Sequence, residues 1–162
     1  MKTYIKKFLI VGGICMIISS LNGCFKNYSI NNITRLYFHY TNGYAMYADV
    51  EYELVLENNV YTATIKQYGV SKEDADSFIV DKFFIQELNK LLTTYHIEKW
   101  YSYKKSNKNV LDGDSFELYL TNEKGEHLSA SGYEKWPKNY NEIKEGLDTL
   151  FMSLYTIEEP SN

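Results

Sequence analysis

The chain is poor in the residues that carry chemistry. Its 162 residues hold two cysteines, Cys15 and Cys24, and three histidines, His39, His96 and His127. With no cysteine beyond Cys24, the bulk of the chain forms no intramolecular disulfide and must hold together by packing. No two histidines stand at ligand spacing, and nothing offers the converging set that zinc requires, so no metal is expected. A Gly-rich phosphate loop, a dinucleotide fingerprint and a nucleophile elbow are all missing. The expectation is therefore no catalytic residue, no cofactor and no enzyme. An excess of positive charge is missing too. Lys and Arg number 17 against 21 Asp and Glu, a formal charge of −4, which argues against nucleic acid as a partner. The one marked apolar run, FLIVGGICMII, falls short of the roughly 20 residues that span a bilayer.

What is present begins at the N-terminus. MKTYIKK carries Lys2, Lys6 and Lys7 and no acid; the apolar run follows, then SSLNGC. A positive segment, an apolar segment and a small residue before a processing point are the parts of an export signal. LNGC, with Leu21 three before the cysteine and Gly23 directly before it, resembles the lipobox of bacterial lipoproteins. Asn22 departs from the Ala, Ser or Thr usual in that family's middle position. The resemblance implies diacylglyceryl transfer to the Cys24 thiol, cleavage before Cys24 and removal of residues 1–23 with Cys15. A thiolate is the nucleophile suited to such alkylation. Stable anchoring takes more than one acyl chain, of palmitate type here. The protein is then expected on the extracytoplasmic face of the cell membrane, with membrane lipid as its first partner.

Removing residues 1–23 leaves 139 residues, enough for one domain, and takes three lysines and no acid, so the formal charge falls from −4 to −7. Such a surface draws nothing from anionic lipid, which leaves anchoring to the acyl chains. Residues 24–32, CFKNYSINN, read as a polar lipidated tether; 33–157 read as a single domain and 158–162 as a tail.

Periodicity sets the fold class. ITRLYFHY alternates, with Leu36, Phe38 and Tyr40 on one face and Arg35, Tyr37 and His39 on the other. Asn42-Gly43 suits a tight hairpin turn. AMYADVEYELVLE continues, with Met46, Ala48, Val50, Tyr52, Leu54 and Leu56 on one face. Tyr47, Asp49, Glu51, Glu53, Val55 and Glu57 take the other. VYTATIKQY makes a third strand, with Tyr61, Ala63 and Ile65 inward. Residues 76–95 read as a helix whose stripe is Ile79, Phe83, Phe84, Leu88, Leu91, Leu92 and Tyr95, capped by Asp74, Asp76 or Ser77. A loop follows over 98–115, opening with a short strand at 99–103. SFELYLTNEKGEHLSASG reads as a second hairpin with Phe116, Leu118, Leu120, Leu128 and Ala130 inward. A second helix follows Pro137, with Asn139 and Glu142 as a capping box and Ile143, Leu147, Leu150, Phe151 and Leu154 as its buried stripe. The class is α+β, an antiparallel sheet in the order βββα-ββα with two helices packed on one face.

SGYEKWPKNYNEI places Gly132, Trp136, Pro137, Asn139 and Tyr140 at set spacings, with VLDGDSFELYL as its partner strand. This segment is similar to a pattern in small proteins and lipoproteins of low-GC Gram-positive bacteria. The resemblance brings no activity; it implies that the segment shapes the fold.

Two features point outward. Asp49, Glu51, Glu53 and Glu57 fall on one strand face, about 7 Å apart between alternate residues. A solvated face explains the row more simply than catalysis does, because acid–base work needs two carboxylates in a cleft with separated pKa values. Asp112 and Asp114 in DGD are too close together for a calcium loop and read as a turn. Trp100, Tyr101 and Tyr103 stand in a polar stretch, and rigid amphipathic rings suit recognition. Trp136 before Pro137 instead staples the start of a helix. The expected function is a non-enzymatic envelope lipoprotein binding a protein or peptide through Trp100, Tyr101, Tyr103, Asp49, Glu51 and Glu53. A small-ligand or glycan module is the alternative. A hydrolase is a distant third, needing acids, or a histidine and an acid, converging in a pocket.

Overall fold

The computed structural model describes residues 32–43 and 49–157. The signal segment 1–23, Cys24 with the tether to residue 31, the strand positions Met46, Tyr47 and Ala48, and the tail 158–162 lie outside the described residues.

Alternation in the first half becomes sheet. β1 (Ile33–Thr41), β2 (Val50–Glu57) and β3 (Val60–Gln67) pair antiparallel in sequence, with Phe38 opposite Tyr52 and Tyr52 opposite Ile65. The inward residues are those the period of two selects. Leu36, Phe38, Tyr52, Leu54, Ala63 and Ile65 are all buried. β1 ends at Thr41 and β2 begins at Val50; the connection expected to turn at Asn42-Gly43 runs through residues 44–48, which lie outside the described residues. The Asp114 carboxylate accepts the Gly43 amide at 3.0 Å.

Residues 76–95 divide. β4 (Asp76–Val80) pairs antiparallel with β3, and α1 (Lys82–Thr94) starts afterwards. Asp81 caps it, its carboxylate accepting the Phe84 amide at 2.9 Å, in place of Asp74, Asp76 or Ser77. Phe84, Leu88 and Leu92 are buried as expected, but Ile79 and Phe83 are exposed. A 3-10 turn (Ile97–Trp100) leads to β5 (Tyr103–Ser106), slightly later than the strand expected at 99–103. β6 (Ser115–Asn122) and β7 (His127–Tyr133) form the second hairpin. Asn122 holds its turn, the side-chain oxygen accepting the amides of Lys124 and Glu126 at 3.0 and 2.9 Å. α2 (Tyr140–Met152) and a short α3 (Leu154–Ile157) close the chain. Asn139 precedes α2 in a left-handed conformation, φ 62°, and its side chain makes no cap. Its amide instead donates to the Tyr95 carbonyl at 3.0 Å, tying the start of α2 to the end of α1.

The result is a mixed α+β fold on one seven-stranded sheet in the order β4-β3-β2-β1-β6-β7-β5. From β4 to β7 every neighbouring pair is antiparallel; β5 joins β7 in parallel. The element order is ββββα-βββα, with one more strand in each half than βββα-ββα allows. β1 is the centre. It takes β2 on one side and β6 on the other, with Leu36 opposite Leu120 and Phe38 opposite Leu118. Rings carry the packing of α2 against the sheet: Phe151 stacks on Tyr52 at 4.6 Å and meets Phe84 of α1 edge-on at 5.4 Å.

Candidate functional site

The residues that alternate away from the core form a polar field across β2, β1 and β6. The expected acidic row is there, but Glu51 and Glu53 are each paired with a cation. Glu51 pairs with Lys66, its register partner on β3. Glu53 takes Arg35 at 2.8 Å and Lys72 at 3.5 Å. Asp49 meets the Nε2 of His39. A cross-strand ladder of opposite charges explains this: strands set 4.5–5.5 Å apart bring long side chains into reach of one another. Glu51 and Glu53 are thus charge-paired rather than free, and His39 is hydrogen-bonded to Asp49 beside them. That partner was legible in principle, since the β1–β2 hairpin sets His39 opposite Glu51 and diagonal to Asp49.

Two tyrosines lie inside this field. Tyr37 faces Tyr119 across β1 and β6, with ring centroids 5.9 Å apart. Burial, then the carboxylates of Glu51, Glu117, Asp49 and Glu53, push the Tyr37 phenol up to about 12. It remains a neutral hydrogen-bonding group at any physiological pH. Tyr119 is half exposed. Thr41 and Ser115, the hydroxyls next along β1 and β6, are hydrogen-bonded to each other at 2.8 Å.

The aromatic expectation is corrected at its first member. Trp100 is fully buried, not an exposed contact. Its indole N–H donates to the Lys138 carbonyl at 2.9 Å, and its ring stacks on Tyr140 and meets Phe116 edge-on. The polar neighbours of Trp100 in sequence say nothing of this, because its partners stand 16 to 40 residues away. Tyr101 is exposed, and Tyr103 is partly buried against Phe116. Trp136 stacks on Tyr140, the first residue of α2, at 4.5 Å, as a staple should. Gly113 and Asp114 are tied in place by hydrogen bonds. The Gly113 amide donates to the Tyr133 hydroxyl at 2.8 Å and the Asp114 amide to Glu134 at 2.7 Å. Among the described residues no group of three or more His, Cys, Asp or Glu is placed to hold a metal.

A cluster the sequence reading missed lies between α2 and the sheet. The Tyr52 hydroxyl donates to Asp148 at 2.9 Å, Lys144 donates to the other Asp148 oxygen at 2.8 Å, and the Lys144 ammonium sits 4.0 Å over the Tyr40 ring. Burial acts to lower the Lys144 pKa, but pairing with Asp148 outweighs it and the net shift is upward. Burial and Asp148 hold Tyr52 well above its ordinary value. A lysine so held is protonated at neutral pH and is no amine nucleophile. The cluster clamps α2 to β1 and β2. Its signal was the i,i+4 Lys-Asp pair on α2, together with tyrosines at inward strand positions.

The fold and these groups define an α+β domain bearing a charge-paired, tyrosine-containing sheet face. No family model matches the chain, and no curated protein matches it.

Proposed function

We propose that this is a lipid-anchored envelope domain, held at the extracytoplasmic membrane face through Cys24, that binds a protein or peptide partner without catalysing a reaction. In this reading both helices cover one face of the sheet and leave the opposite face, with Tyr37 and Tyr119 amid paired charges, to the partner. The observation that carries it is that pairing. A paired charge costs less to cover than a bare one, and the half-exposed Tyr119 supplies apolar area with a polar tip. Trp100 has no part in it, and Tyr101 and Tyr103 lie beyond the field. The test places a photo-reactive residue at Tyr119 or Glu117 in the native membrane, with Glu142 on α2 as the comparison. One recurrent adduct from the sheet positions and none from Glu142 is the expected result; equal labelling overturns the surface. The anchor is tested separately, by intact mass of detergent-extracted protein beside Cys24→Ala. A chain starting at Cys24 with added diacylglycerol, absent from the variant, is expected.

A hollow of about 250 Å³ supports the alternative of a glycan module. It is lined by Tyr103 and Tyr119 with Ser102, Ser129, Ser131 and Lys104, rings and hydroxyls suited to a sugar. Glycan binding lost in Tyr119→Ala with stability intact would favour this second reading.

A further inference from the structure

At one corner of the sheet the core leaves large apolar side chains outside. Ile79 is 82 % exposed and Phe83 67 % exposed. Both line a groove of about 340 Å³ with Phe78, Val80, Leu150 and Leu154. Val60, also exposed, stands one place before the Tyr61–Val80 pair, a diagonal neighbour of Ile79 on the face that Ile79 shares with Thr62. Exposed Lys82 lies between Ile79 and Phe83 in the chain.

The strand register fixes which end of the domain carries this patch. One line across the sheet joins Arg35 to Val55, Val55 to Thr62 and Thr62 to Ile79. β1 begins at Ile33, just short of that line. β1 and β4 run in opposite directions, so β4 leaves the sheet toward Lys82 and Phe83 at the end where β1 enters it. Three strand spacings, about 14 Å, separate the two places. Leu111 is 94 % exposed but belongs to the other end, since Gly113 and Asp114 beside it meet Gly43, just past the end of β1. Strand β1, running from one end to the other, is about 27 Å long.

We propose that Val60, Ile79 and Phe83 rest in the interfacial layer of the membrane, so that the end where β1 enters faces lipid and the loop bearing Leu111 faces away. This rests on the anchor proposed at Cys24. The chain from Cys24 to Ile33 reaches at most about 30 Å when fully extended. That leash holds the entry end nearest the bilayer, and the high effective concentration it creates lets an apolar patch too small to bind alone make contact. Such contact scales with the apolar area buried, and Lys82 lays its stem along that area with its ammonium among the headgroups. Penetration is shallow, because the outer backbone groups of β4, an edge strand, need water. Glu57 and Glu123 stand at the same end, so attraction to anionic lipid has no part in it.

The test uses the mature lipoprotein, purified in detergent and reconstituted into phosphatidylcholine vesicles with or without bromine on the acyl chains. Ile79→Trp and Phe83→Trp read depth by bromine quenching. The parent gives the background from Trp100 and Trp136, and Leu111→Trp carries the same interfacial preference of tryptophan at the other end. Quenching at Ile79→Trp and Phe83→Trp several-fold above Leu111→Trp is expected; equal quenching at all three overturns the contact. Adding Val60→Ser and Ile79→Ser to Phe83→Trp is expected to lower its quenching several-fold, and no change overturns the role of these side chains. Intact mass of each sample keeps the anchor separate. With diacylglycerol on Cys24 and equal quenching, the contact falls and the anchor stands; without diacylglycerol the anchor falls, and the contact with it.

Discussion

Gly132 leaves no room for a β-carbon. One built there would stand 2.1 Å from the Lys135 carbonyl and 2.5 Å from the Phe116 ring. Gly132→Ala is expected to cost about 1–3 kcal/mol, read as a lowered urea midpoint. This gives a physical reason for the glycine of SGYEKWPKNYNEI, which the sequence marked only by its spacing. Trp100 is the opposite case. Trp100→Ala is expected to cost about 3–5 kcal/mol in thermal or urea unfolding, because it empties a packed site and orphans the Lys138 carbonyl. Lost binding in that variant would report unfolding and no contact. Sequence gave its residue type but hid its surroundings, since nothing local to 98–103 encodes Tyr140 or Lys138. The acids of β2 were half legible: alternation placed them on one face, while their cation partners lie on β1, β3 and the loop after β3.

The boundary between β4 and α1 is the element where two patterns compete. Ile79, Phe83 and Phe84 fit a helical stripe, yet the β-branched run at Ile79-Val80 pairs with β3, and Asp81 then starts the helix. A strand of five residues is too short for its alternation to outvote a longer helical period. Two substitutions read the boundary. Asp81→Ala is expected to lower stability by about 1 kcal/mol in urea unfolding, through loss of the cap. Phe83→Gln is expected to stay within about 0.5 kcal/mol of the parent, whereas a core stripe residue would cost several times more. The longer alternating strands, β1, β2, β3 and β6, needed no such arbitration and were legible over their described residues, although Tyr61 is only partly buried. β5 was less so, because its parallel pairing with β7 leaves no hairpin signal in the chain.

At the scale of the molecule, phenols set the alkaline limit. Tyr37 and Tyr155 are pushed from 10.0 to about 12, by burial first and carboxylates second, and Tyr40, Tyr52 and Tyr140 are also raised. Between those values the unfolded chain gives up protons that the folded chain keeps. Stability from this source is therefore complete below about pH 10 and falls as pH rises toward 12. Urea midpoints followed with phenolate absorbance are expected to drop across that window, and less steeply in Tyr52→Phe. The class was legible from periodicity and length. The sheet order was not, because it depends on β1 meeting β6, whose register sets Thr41 opposite Ser115 and Ile33 opposite Asn122, far apart in the chain.

The central position of β1 also has a mechanical side. A strand held by ladders on both flanks, when pulled along its own length, loads all those hydrogen bonds together in shear and does not peel them one by one. Ile33 is where any tension passed down from residues 24–32 would reach the domain. A protein moored at that end would meet the drag of its surroundings at the place in the sheet best built to resist it.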